Sequence, residues 1–64
     1  MKKYFKDLLD YIREEGEDLD REQWFAVYGF VKAMYIMGYL DDEELNALSK
    51  LIPLSRDDRN KVLI

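Results

Sequence analysis

Acidic side chains are the residues of this chain whose types and spacing could carry out chemistry. They concentrate in three stretches, "LDREQW" at residues 19–24, "LDDEEL" at 40–45 and "LSRDDR" at 54–59. Grouped carboxylates hold hard cations such as calcium and serve as general acids and bases. The first question is whether these stretches are three acidic sites or three copies of one structural signal.

The spacing within each stretch is that of a helix start. A capping residue is followed three positions later by an acid or an amide, which is the pattern of a capping box. The three pairs are Asp20 with Gln23, Asp41 with Glu44, and Ser55 with Asp58. Leu19 with Trp24 and Leu40 with Leu45 add hydrophobic staples. No stretch follows the ligand spacing of a calcium loop, so we predict three helix starts and no metal site.

The remaining residue types give little support to catalysis or to a bound cofactor. The chain has no histidine, cysteine or threonine, and its only serines are Ser49 and Ser55. It also lacks a glycine-rich loop that would hold a phosphate. Carboxylates at helix starts are in water, where nothing raises their pKa. We therefore expect a protein that is not an enzyme and has no cofactor.

The elements that position these residues are helical. A chain of 64 residues with 48% apolar residues, three glycines and one proline is typical of one small helical domain spanning residues 1–64. Apolar periodicity predicts four helices, which we place at Lys2–Glu15, Arg21–Met37, Asp42–Leu51 and Arg56–Leu63. Gly16, Gly38 and Pro53 are expected to end the first three. Short connections favour antiparallel neighbours, so the predicted fold is all-α, a three-helix bundle with a short fourth helix.

The predicted second helix, the central one, is hydrophobic on every side. Between residues 24 and 39 every residue is apolar or aromatic apart from two glycines and Lys32. Such a helix is normally buried all round, but a chain this short offers only two full helices and one short helix to cover it. We therefore predict that one face stays open and binds a partner. This predicted apolar patch consists of Trp24, Phe25, Gly29, Lys32, Ile36 and Tyr39.

At 100° per residue the central helix has three faces. The first carries Trp24, Val27, Tyr28, Val31, Met34 and Tyr35; the second carries Ala26, Phe30, Ala33 and Met37; the third carries Phe25, Gly29, Lys32 and Ile36, with Tyr39 beside it. Helices 1 and 3 are each expected to cover one face. The alternative is that the last helix and the "VLI" tail at 62–64 cover the third face and leave a closed monomer.

A second candidate surface is an acidic pole around the connection between the first two helices. It consists of Glu14, Glu15, Glu17, Asp18, Asp20 and Glu22, against only Arg13 and Arg21. A solvated turn of this composition needs no function. Beside aromatic anchors, however, an acidic rim would steer a basic protein surface towards an apolar contact.

The negative net charge favours a protein partner over nucleic acid or a membrane. At −4 the chain is poorly suited to nucleic acid or to anionic membranes, which attract positive charge. The start "MKKYFKDLLD" lacks the continuous apolar stretch of a signal peptide, and we expect a cytoplasmic location.

We predict a protein–protein interaction module. It would act as a small acidic inhibitor or adaptor that blocks a basic or nucleic-acid-binding surface of a larger protein, or as a homodimer. Small, acidic, non-enzymatic helical proteins recur among the inhibitors encoded by phages and mobile elements, so we expect that setting by analogy. The alternative is a helix-turn-helix-like DNA-binding regulator that uses the C-terminal helix, where Arg56, Arg59, Asn60 and Lys61 would face a groove. Asp57 and Asp58 in that helix would face phosphates.

Overall fold

The computed structural model describes the backbone of residues 2–62 and the side chains of residues 3–62. Within that range the chain forms four α-helices: α1 (Lys2–Glu15), α2 (Arg21–Ile36), α3 (Asp42–Leu51) and α4 (Arg56–Asn60). A short 3-10 helix, Gly16–Asp18, follows α1. The prediction of an all-α chain is confirmed, and α3 packs against both α1 and α2.

The helix starts follow the capping signals in the sequence. Asp20 accepts a hydrogen bond from the Gln23 amide at 2.8 Å, and the Gln23 side chain accepts one from the Asp20 amide at 2.9 Å. Asp41 and Glu44 repeat this reciprocal box at 2.8 Å and 3.0 Å. Each box satisfies two backbone donors that the first turn would otherwise leave unpaired. The acids of these stretches are therefore largely used in starting helices.

The third start is only half of a capping box. Ser55 accepts from the Asp58 amide at 3.1 Å, but the Asp58 carboxylate does not return to the cap. It pairs instead with Arg21 at the start of α2. Asp58 therefore joins two helices rather than completing its own first turn.

Two glycines that the sequence marks as helix stops behave differently. Gly38 has φ 88° and closes α2 with backbone bonds from Gly38 to Tyr35 (3.0 Å) and from Tyr39 to Met34 (2.9 Å), which together form a Schellman motif. The predicted left-handed stop at Gly16 is wrong, because Gly38 alone among the described residues has a positive φ. At Gly16 the chain tightens into the 3-10 turn.

Packing explains the glycine at position 16. A Cβ atom there would lie 3.2 Å from two ring atoms of Trp24, which is closer than an ordinary van der Waals contact. The missing side chain lets the indole approach the end of α1. Trp24 is buried with the other core residues, so this glycine serves the core rather than the backbone conformation.

The core lies where α1, α2 and α3 meet. Its buried residues are Leu8, Ile12, Trp24, Tyr28, Val31, Met34, Leu40, Leu48, Ile52 and Leu54. Val31 and Leu48 are completely enclosed. The described chain measures 28 × 26 × 15 Å, and such a flat shape has room for few side chains that are surrounded on all sides.

The helix ends agree with the sequence to within a few residues. α2 ends at Ile36 rather than Met37, and α3 ends at Leu51 ahead of Pro53, as predicted. α4 ends at Asn60, before the predicted end at Leu63, because the backbone turns at Lys61. Leu63 and Ile64 of the "VLI" tail lie outside the described residues, whereas Val62 packs against the core.

Candidate functional site

An open apolar groove lies between α1 and α2. Its volume is about 590 Å³, which falls within the ~300 to 1,000 Å³ typical of ligand-sized clefts. α1 lines it with Tyr4, Asp7, Leu8 and Tyr11, and α2 lines it with Ala26, Val27, Phe30 and Met34. We call this the α1/α2 groove. All of its lining residues except Asp7 are apolar or aromatic, so it offers burial rather than catalytic groups.

The α1 wall comes from one face of that helix. Tyr4, Leu8 and Tyr11 are separated by four and then three positions, which places them on successive turns of the same side. Leu8 is buried in the core, whereas the two tyrosines are 41% and 42% exposed. The Tyr4 ring packs at a tilt against Tyr39, with a centroid distance of 5.0 Å. This contact joins the start of α1 to the turn that follows α2.

The α2 wall continues into an uncharged stripe that we call the α2 seam, Ala26, Phe30, Ala33 and Met37. Its members are spaced by four, three and four positions and lie within an arc of about 60°. Phe30 is 55% exposed and Met37 is 60% exposed. Ala26 is also exposed, and Ala33 is half-buried. Large apolar side chains therefore alternate with small ones along about three turns of helix.

The groove is open because α3 covers the other side of α1 and α2. α2 directs Trp24, Tyr28 and Val31 into the core, away from the seam. The α1 and α2 backbones approach each other less closely than either approaches α3. Small alanines on the seam do not fill the space between them. The arrangement can therefore accept an apolar side chain from outside.

Charge is sparse at the groove and stronger near α3. Asp7 is the single charged residue that lines the groove. At the end of α2 the Tyr35 hydroxyl donates a hydrogen bond to Asp42 of α3. That bond, followed by the negative charge of Asp42 and partial burial, raises the pKa of Tyr35 above its ordinary value of 10.0. Tyr35 thus stays neutral at physiological pH and ties α2 to α3.

The members of the predicted apolar patch differ in their exposure. Trp24 is buried in the core, which corrects its placement as a surface anchor. Phe25 is half-buried and packs against the core, while Gly29 and Lys32 are also half-buried. Only Ile36 and Tyr39 are exposed. Exposure along this face is therefore greatest at its C-terminal end.

The flank of α2 that carries Phe25 has α4 beside it. The Arg21 guanidinium lies 5.3 Å from the centre of the Phe25 ring and forms an ion pair with Asp58 of α4 at 2.5 Å. Lys61 approaches the same carboxylate at 3.9 Å. Leu54, just before α4, is buried in the core. This agrees with the alternative expectation that the C-terminal helix covers part of this face.

The residues of the predicted acidic pole lie around the α1–α2 connection. Its six carboxylates come from the last turn of α1, the 3-10 helix and the start of α2, and all are exposed: Glu14, Glu15, Glu17, Asp18, Asp20 and Glu22. Asp20 is already used in the capping box. Tyr11 lies one turn before the pole, so the acids border one end of the α1/α2 groove.

Four exposed apolar residues of α1, α2 and the turn that follows lie outside the predicted apolar patch. Tyr4, Tyr11, Phe30 and Met37 are all more than one third exposed. Their signal was present in the spacing of the second face of α2 and in two tyrosines seven positions apart on α1. It was missed because helices 1 and 3 were expected to cover the first two faces completely.

The geometry of α4 does not resemble a recognition helix. It has five residues, and its Asp58 is occupied by Arg21 and Lys61. Arg59 is half-buried, and its Nε is enclosed without a hydrogen-bond partner. Three of the four polar residues predicted to face DNA remain exposed, Arg56, Asn60 and Lys61, beside the exposed Asp57.

The described residues contain no group of three carboxylates placed to hold a metal ion. None of the helices in this part of the chain is long and apolar enough to cross a membrane. No protein-family model, curated protein or solved structure matches the chain. The candidate site is therefore judged by its geometry and chemistry alone.

Proposed function

We propose that this protein is a non-catalytic protein–protein interaction module that binds through the α1/α2 groove. One observation carries the proposal. Tyr4, Tyr11 and Phe30 keep between 41% and 55% of their surface in water around an apolar groove. Aromatic residues and methionine are enriched at the centres of protein interfaces, whereas lysine and glutamate are depleted there. The groove has this composition.

The burial energy available is moderate. Burying a large apolar side chain completely is worth about 1.5 to 3 kcal/mol, so each half-exposed ring and Met37 would contribute about 1 kcal/mol. Association opposes this with a cost of at least about 4 kcal/mol in lost freedom of motion. These apolar contacts therefore roughly offset the cost of association, and net binding depends on additional contacts at the rim of the groove.

The acidic pole supplies the rim at one end of the groove. In a bundle of α1, α2 and α3 with α4 packed on it, this pole would attract a basic protein surface and orient it towards the apolar contact. An inhibitor or adaptor of a protein with a basic surface would use both features. The cytoplasm and a phage or mobile-element setting remain predictions from the sequence and by analogy.

A photo-cross-linking amino acid tests where the protein binds. It replaces Phe30 in the groove or, as a control, Leu51 on α3, which is 42% exposed and does not line the groove. We expect covalent adducts with protein, either a foreign chain or a second copy, from position 30 and not from position 51. Adducts at neither position, or equally at both, would contradict binding through the groove.

Competition makes the experiment specific to the site. Excess unmodified chain should suppress the adducts formed at position 30. A Phe30→Glu competitor should fail to do so, because a carboxylate would have to be buried in the contact. Ile36→Glu is the matched competitor, since Ile36 is 58% exposed but lies off the seam, and it should suppress the adducts as well as the unmodified chain does.

A further inference from the structure

We infer that the partner of the α1/α2 groove is a second copy of this chain, bound through an antiparallel pairing of the two α2 seams. The inference rests on the proposed function, because it names the partner of the same surface. It also gives the register: Ala26 would face Met37 of the second copy, and Phe30 would face Ala33.

The register follows from symmetry. In an antiparallel pair of identical helices, a two-fold axis relates position i to a position j such that i plus j is constant. Ala26 with Met37 and Phe30 with Ala33 satisfy this rule with the same sum, so one axis between residues 31 and 32 serves both pairs. The seam is therefore complementary to itself.

The side-chain sizes fit that register. Each of the two pairs joins a large side chain to an alanine, so the exposed ring of Phe30 and the exposed Met37 would project towards spaces that alanines leave open. The spacing of four, three and four positions averages about 3.7 residues per turn, close to the 3.6 of a straight α-helix, so the seam stays on one side of α2 along its whole length. Binding to a different protein would not require the large and small side chains of this seam to be complementary to each other.

The exposed area is close to what a dimer requires. The accessible surface is 4713 Å², compared with about 4,300 Å² expected for a compact monomer of this mass. Tyr4, Tyr11, Phe30, Met37 and Tyr39 are each 38% to 60% exposed. At about 200 Å² for each whole side chain, they expose on the order of 500 Å² per copy. Two copies would bury about 1,000 Å², which is the lower limit of a specific interface.

Charge distinguishes a second copy from a basic protein. Each copy carries a net charge of −4, but the seam itself is uncharged. Long-range repulsion between two acidic copies is screened by salt, so a dimer held by apolar contacts should become tighter as salt rises. Binding to a basic protein should weaken instead. The direction of the salt effect therefore identifies the class of partner.

Analytical ultracentrifugation of the full chain tests self-association. From about 1 μM to 1 mM the average mass should rise from 7.7 kDa towards twice that value, and it should rise earlier in high salt. A mass that stays at 7.7 kDa throughout would overturn the inference. The proposed function would survive that result if position 30 still formed site-specific adducts with a foreign protein, and would fail if it formed none.

Charge substitutions at the two ends of the seam test the register. Ala26 and Met37 are both exposed, so Ala26→Glu and Met37→Lys should leave the monomer folded, as checked by circular dichroism. Each alone should weaken the dimer by at least about tenfold, because it places an unpaired charge against an apolar side chain. The double variant should restore most of the affinity, since residue 26 of each copy then faces the opposite charge at residue 37.

Ile36→Lys is the matched control. Its side chain is exposed almost as much as that of Met37, but it lies about 90° around α2 from the centre of the seam, so dimerisation should be unchanged. If Ala26→Glu and Met37→Lys each leave the dimer affinity unchanged, the copies do not meet in this register. The same conclusion follows if the double variant does not recover the affinity lost by the single variants. Either result would overturn the inference.

Discussion

The two flanks of α2 are both apolar, but the structure treats them differently. On one flank Phe25 is half-buried, Arg21 lies over its ring and Asp58 of α4 pairs with that arginine. On the other flank Phe30 is 55% exposed beside the α1/α2 groove. Hydrophobicity alone therefore does not locate a binding surface. What matters is which flank the rest of the chain can reach.

The difference depends on the segment after Pro53. Ile52 and Leu54 are buried in the core, and they fix the path of the chain so that α4 comes beside the start of α2. The Arg21–Asp58 pair then holds α4 near Phe25. The seam faces away from that segment, and its alanines leave the groove unfilled.

The largest difference between the two flanks is expected in the free energy of unfolding, when one phenylalanine on each flank is replaced by glutamate. Phe25→Glu should lower the free energy of unfolding by about 1 to 3 kcal/mol, because it removes packed apolar surface and places a charge against the core. Phe30→Glu should change it by less than about 1 kcal/mol, since that ring is mostly in water. Urea unfolding followed by circular dichroism, at concentrations where the chain is monomeric, measures both.

Equal losses from the two substitutions would mean that the flanks are packed alike. As a competitor, Phe30→Glu should fail to suppress the adducts formed from position 30, whereas a folded Phe25→Glu protein should suppress them as well as the unmodified chain does. The pair therefore separates a core role from a binding role for two residues of the same type on the same helix.

A smaller effect is expected from breaking the link that holds α4 at the covered flank. Asp58→Ala should cost about 0.5 to 1 kcal/mol, because the Arg21 side chain is 62% exposed and solvent screens the pair. It should also increase hydrogen exchange in α4. Asp57→Ala is the control, since it removes an exposed acid from the same first turn. Similar losses for both variants would indicate that the helix dipole matters more than the ion pair.

The smallest expected effect concerns the polar contact between α2 and α3. Tyr35 should titrate above pH 10 in the folded chain, because its hydroxyl donates a hydrogen bond to Asp42, whose negative charge also disfavours the phenolate. Its contribution to stability is fully present below the unfolded pKa and is lost as pH rises through the raised folded pKa. Asp42→Asn should return the pKa of Tyr35 towards its ordinary value, as measured in an NMR titration of the ring. The free energy of unfolding near neutral pH should change little.

Much of the local structure could be predicted from short-range physics. The caps at Asp20 and Asp41, the left-handed stop at Gly38 and the end of α3 before Pro53 all follow from residues within one turn of each other. Gly16 shows the limit of that reasoning. Its sequence signal was that of a helix stop, but the residue is there because the Trp24 ring packs against it.

The sequence predicted the chemical character of the candidate site, an apolar surface on α2, but not the residues that form it. An apolar surface on the central helix was expected, and exposed apolar residues are present on that helix. The predicted apolar patch, however, lay on the face that carries Phe25, Gly29 and Lys32, and it included Trp24. Trp24 lies in the core instead. Identifying Phe30 required knowing where α4 goes, and periodicity within α2 carries no information about the position of a segment 20 residues further along the chain.

The sequence by itself determined the helices, their caps and the hydrophobic character of α2 on all sides, because these depend on neighbours three or four positions apart. Only the tertiary structure decided that the flank with Phe25 is covered and the flank with Phe30 is open. That choice depends on contacts between distant parts of the chain, the Arg21–Asp58 pair and the burial of Leu54. The same physical principle, burial of apolar surface, produces the core on one side of α2, while the chain leaves apolar surface exposed on the other.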